Sequence, residues 1–242
     1  MLQTETKPES PLFPQDALEL DGAEERTVLK SKLRFRFAKR GDLRLVSHHD
    51  LMRCLERILR RAGLPVAHSQ GFNPRPKATF ALAMALGIEG RREVLDLELT
   101  ETIDPEDVLR RLSAEAPPGL DFLEVEAIPL TGRAARVAAA RYHLPIPEEH
   151  RDAARAAVAD LLTRASWPYT RHRQDRTIEL DLRPFVLDAF VSDDGALSFR
   201  LKVASDGSAR PEEIIDALGL SWLTSQGAVL VRDDVELSPV GG

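Results

Sequence analysis

The residues best suited to chemistry begin with a stiff, basic loop. In SQGFNPRPKATFALAMALG, Ser69–Gly87, Asn73, Arg75 and Lys77 cluster with Gly71, Pro74 and Pro76 directly ahead of an apolar run. Asn73 and Arg75 each precede proline and are pushed into extended conformations, while Gly71 permits a turn that side chains resist. Such a loop loses little entropy on binding, and its two cations suit an anionic partner. A rigid crossover into the next strand explains the prolines but not Arg75 and Lys77. Upstream, Arg53, Arg57, Arg60 and Arg61 share one stripe at helical spacing, with Glu56 as the nearby acid. That pattern suits a phosphate backbone, and a solvated helix face is its plain alternative.

His48 and His49 fall in the first turn of the same helix, where the dipole disfavours an imidazolium and leaves a neutral base. A metal-independent ribonuclease could aim such a base at a ribose 2′-hydroxyl, with His48 as the candidate. A helix of about 15 residues sets this turn some 22 Å from the start of the basic loop, so one site would need the loop to fold back. A surface histidine, or one bonded into the fold, is the simpler reading. His68, His143, His150 and His172 show no metal-ligand spacing, and Cys54, the single cysteine, reads as a small buried side chain. No metal and no cofactor is expected.

These residues need elements to position them. Leu33, Phe35 and Phe37 alternate with Arg34 and Arg36, which predicts a strand with one apolar and one basic face. Ser47 followed by Asp50 resembles a capping box and opens a helix whose inner stripe is Leu51, Leu55, Ile58, Leu59 and Ala62, ended by Gly63. Ala78–Met84 and Val94–Thr100 read as strands. Asp104-Pro105-Glu106 opens a second helix, and Phe122–Ala127 closes a βαββαβ unit, the ferredoxin-like plait. In that topology the third strand lies beside the first, so Asp96 and Glu98 are expected to neutralise Arg34 and Arg36 across strands.

The second half repeats the grammar more loosely. Strands are expected at Tyr142–Ile146, Thr177–Leu182 and Val229–Leu237, helices at Glu148–Ala165 and from Pro211, and a hairpin around Ser192-Asp193-Asp194-Gly195. The expected organisation is an acidic disordered tail over 1–28, a ferredoxin-like basic domain over 29–130, a linker over 131–140, and a second α+β domain over 141–242. The tail has the acidic, aperiodic composition that cannot build a core.

Bulk composition sets limits. The 242 residues carry a net charge of −6, yet residues 29–78 hold thirteen Lys and Arg against three acids. A local basic block, rather than net charge, decides where a polyanion docks. One cysteine excludes a disulfide framework, and with no long apolar run the chain reads as cytoplasmic, with no membrane partner.

The segments LRFRFAKRGDLRLVSHHDLMRCLERILRRAGLPVAHSQGFNPRPKATFALAMALGIEG, IELDLRPFVLD and SARPEEIIDALG together resemble the uncharacterised radical-SAM-linked domain family. The likeness spans Leu33 to Leu237. In other proteins this domain is a C-terminal extension of a radical SAM enzyme or a separate chain, and where this chain has His49 the family pattern commonly has an apolar residue. The resemblance implies a radical SAM enzyme as partner. Such an enzyme holds its iron–sulfur cluster on several cysteines, so this chain is not expected to be one. Combined with the charge block, the expected role is a non-catalytic RNA-binding or docking module for that enzyme, in RNA modification. Two other roles fit the residues: an endoribonuclease resembling CRISPR repeat-processing enzymes, and a protein–protein adaptor without RNA contact.

Overall fold

A computed structural model describes residues 29–131, 135–173, 176–204 and 207–238, and the expected acidic tail lies outside the described residues. The first half forms β1 (Ser31–Lys39), α1 (His48–Arg61), β2 (Ala78–Phe80), β3 (Glu89–Leu99), α2 (Pro105–Glu115) and β4 (Leu120–Ile128). Local signals set the helix starts. The Ser47 side chain accepts the Asp50 N–H, and Asp104 accepts those of Glu106 and Asp107 behind a proline at the first helical position. Gly63, at φ 61°, lets the chain leave α1 through the left-handed region.

The strands order as β4-β1-β3-β2, with β1 antiparallel to both β3 and β4 and β2 antiparallel to β3, as the ferredoxin-like unit requires. β2 is shorter than the expected Ala78–Met84. Further along, the same edge of β3 is taken by another strand, β10 (Val231–Leu237), which pairs in parallel at Glu89 and Gly90. That pairing also explains why β3 starts earlier than Val94.

The second half forms β5 (Val137–Pro145), α3 (Arg151–Thr163) behind one 3-10 turn, β6 (Pro168–Arg173), β7 (Arg176–Asp181), β8 (Val186–Val191), β9 (Ala196–Lys202), and the short helices α4 (Pro211–Ala217) and α5 (Ser221–Ser225) ahead of β10. β5 begins inside the stretch read as a linker, because Ala139 and Ala140 are buried strand residues paired with both β9 and β10. The strand expected near Thr177–Leu182 is β7, which among the described residues pairs only with β6, as a separate ribbon. β10 bridges the halves, giving an eight-stranded mixed sheet among the described residues, ordered β4-β1-β3-β10-β5-β9-β8 with β2 beside β3.

One face of this sheet carries two apolar clusters. The first joins Phe35, Phe37, Leu95 and Leu97 to α1 and α2; the second joins Tyr142, Leu144, Phe199 and Leu201 to α3 and α4. Alternate residues on the other face form charge pairs. Arg34 and Asp96 sit in register and bond through two contacts of 2.7 and 3.0 Å, as expected. Glu98, however, takes Lys32, because register puts Arg36 opposite Val94; Arg36 reaches instead to Asp234 on β10, at 3.2 Å. Arg92 with Glu124 and Arg200 with Glu236 extend the ladder. The arginines Arg34, Arg36, Arg92 and Arg200 on this face are therefore already partnered.

Candidate functional site

α1 buries Leu51, Leu55, Ile58 and Leu59 and leaves Arg53, Arg57, Arg60 and Arg61 exposed. Their surroundings differ. Arg53 meets Asp50 at 3.4 Å, and Arg61 meets the Glu115 carboxylate at 2.9 Å and donates to the Glu115 carbonyl at 2.8 Å. Arg57 and Arg60 have no acidic partner among the described residues. Exposed pairs such as Arg53–Asp50 contribute little, about 0–1 kcal/mol, and release their cation readily.

The basic loop folds back onto the helix. The Lys77 N–H donates to the Ala67 carbonyl at 2.7 Å and that of Ser69 to the Arg75 carbonyl at 2.9 Å, so Ala67–Ser69 and Arg75–Lys77 close a narrow hairpin. The Arg75 N–H also donates to the Ser69 hydroxyl. The base is fixed to β3 through Ala67 N–H to Glu98 and Glu98 N–H to Lys77. Arg75 reaches Glu56 on α1 at 3.4 Å, and Lys77 reaches Glu98 at 3.3 Å. Between loop and helix lies a groove of about 460 Å³, lined by Leu59, Leu64 and Val66 with Arg60, Pro74 and Pro76. Asn73 is exposed. Predicted residues from two elements thus meet on one surface, at the middle and C-terminal end of α1.

His48 does not join them. Its ring packs edge-on against Phe80 at 5.5 Å and His49 at 6.1 Å, and its Nδ1 is buried without a hydrogen-bond partner. Burial first, then the charges of His49 and Lys39, hold its pKa below the ordinary histidine value. Cys54 is half-buried on α1, and no cluster of three metal-ligating side chains occurs among the described residues.

Sequence reading missed two features. Phe72, at the loop tip between Gly71 and Asn73, is fully exposed at 106%, a position signalled only by its place between turn residues. The other is a cleft of about 770 Å³ between the segment after β2 and the second half, floored by Tyr142 and Arg232. Arg232 bonds Glu93 through 2.6 and 2.7 Å contacts and the Ala83 carbonyl at 3.0 Å, and both partners of the ion pair are buried. A Cβ at Gly90 would collide with Glu93, so glycine makes room for this pair. Burial opposes the Arg232 charge, but Glu93 outweighs it and raises the pKa. On the walls Arg171 pairs with Glu213, and Tyr169 donates to Asp216 at 3.0 Å; burial and that bond push the Tyr169 pKa up to about 12. These groups satisfy one another.

The sequence matches, over residues 32–211, the family described as "Uncharacterized protein conserved in bacteria (DUF2344)". No curated protein matches it. Among solved structures it is similar to the "Crystal Structure of an Unknown Protein from Galdieria sulphuraria", at 13% identity, covering 86% of this chain and 99% of that one, with a TM-score of 0.28.

Proposed function

The chain belongs to that uncharacterised bacterial family, and we propose that it is a non-catalytic RNA-binding and docking module working with a radical SAM enzyme in RNA modification. The observation carrying the RNA half is the pair Arg57 and Arg60, exposed on α1 without acidic partners among the described residues, with Arg60 lining a groove walled by a stiff basic loop. Unpartnered guanidinium groups break no ion pair in turning to phosphates, whereas Arg34, Arg36, Arg92 and Arg200 on the open sheet face would first have to leave their carboxylates. The radical SAM half rests on the sequence resemblance. A nuclease role for His48 gains no support from its half-buried ring, packed away from the groove.

The test is a titration of fluorescent RNA over a range of salt. Arg57→Glu with Arg60→Glu should weaken binding and lower the slope of log affinity against log salt by about 0.7 for each single-strand phosphate that is no longer neutralised. Both side chains are exposed, so stability should stay within about 0.5 kcal/mol for each change. A double variant that binds with the parent's affinity and slope would sink the reading. A pull-down from native cells, with RNA sequenced and proteins identified, is expected to recover a radical SAM enzyme together with RNA. Recovery of protein alone favours the adaptor role.

A further inference from the structure

We propose that the Ser69–Lys77 loop is a base-stacking clamp for single-stranded RNA, in which the Phe72 ring receives an unpaired base and the groove beside Arg60 receives its neighbour. This deepens the RNA reading and rests on it. Three observations carry it. First, an aromatic ring is placed wholly in solvent at a position that contributes nothing to the core: Phe72 is 106% exposed and belongs to neither apolar cluster. The seven other phenylalanines of the described segments range from fully buried to about half exposed, so the ring at the loop tip stands apart.

Second, the ring is presented on a braced support. The hydrogen bonds between Ala67–Ser69 and Arg75–Lys77, together with two prolines, brace the base of the loop, so stacking a base on its tip would order only a few residues. Third, the surroundings match a nucleotide in both character and size. Leu59, Val66 and the two prolines offer an apolar floor and walls, Arg60 supplies an unpartnered cation, the Glu56 carboxylate that also lines the groove is met by Arg75, His68 adds a second ring, and the groove, at about 460 Å³, lies within the roughly 300–1,000 Å³ range of small-molecule sites. Aromatic platforms beside cationic tracks bind single strands through the faces of their bases, which a duplex keeps stacked internally.

The experiment compares the full chain with Phe72→Ala and Phe72→Tyr. Binding is measured by anisotropy to a short single-stranded RNA carrying a fluorescent adenine analogue, and to the same sequence as a duplex. The parent should prefer the single strand and quench the analogue. Phe72→Ala should lose about 5- to 150-fold in single-strand affinity, the equivalent of about 1–3 kcal/mol per stacked base, and should lose the quench. Its salt slope and melting temperature should match the parent's, and Phe72→Tyr should retain both affinity and quench. Parent-like single-strand binding by Phe72→Ala, or equal losses for single strand and duplex, overturns the clamp while leaving RNA binding in place. Absence of RNA binding by the parent overturns the RNA reading and the clamp together, and points to a protein surface as the occupant of Phe72.

Discussion

At His48 a buried ring nitrogen lacks a hydrogen bond and a half-buried ring lies near Lys39 and His49, which makes its protonation costly in the folded state. The folded pKa is below the unfolded value of about 6.5, so above that pH both states are neutral and the residue contributes no slope. As pH falls below 6.5 the unfolded state binds the proton first, and stability is lost until the folded pKa is passed. His48→Leu should therefore flatten the fall in stability on acidification relative to the parent, as read from urea unfolding on either side of that pH. Lys39 follows a related logic. It is fully buried with its Nζ on the Val46 carbonyl at 3.1 Å, and burial lowers its pKa. Neither burial is legible in the sequence, where both residues look like ordinary members of a basic stretch. Arg57 and Arg60 are legible as part of a stripe, but which of the four arginines stay unpartnered depends on Asp50 and on Glu115 from α2.

At the level of elements, the legible parts are those with local causes. The Ser47 and Asp104 caps, the Gly63 exit and the alternation of Leu33, Phe35 and Phe37 each lie within a few residues of their effect, and the βαββαβ order follows from them. The early end of β2 and the β6–β7 ribbon are not legible, because both depend on what other strands do far away in sequence. The same contrast runs along β1. Arg34 finds the partner that topology predicts, whereas Arg36 finds Asp234, 198 residues on. Arg34→Gln would leave the nearly buried Asp96 carboxylate without its counter-charge, and it should cost about 3–5 kcal/mol in a denaturant titration. RNA affinity should be unchanged, which separates this face of the sheet from the α1 groove.

Across the whole molecule, two apolar clusters share one sheet, and the Glu93–Arg232 pair lies between β3 and β10 where the halves join. Removing one member strands the other in the interior. Glu93→Gln should lower the unfolding free energy by about 3–5 kcal/mol, and Glu93→Leu with Arg232→Met should recover most of that loss, since a packed apolar pair avoids the desolvation cost. Equal instability of the single and double variants would show that shape rather than charge governs the seam. The position of β10 bears also on how the chain folds. Among the described residues the last strand in sequence order occupies the middle of the sheet, so β5 keeps a row of unpaired amides and carbonyls, and β3 its Glu89–Gly90 end, until that strand arrives. Closure of that gap is a contact of high sequence separation, which makes it slow, and during translation the half-sheets must wait as open templates that a neighbouring chain can occupy.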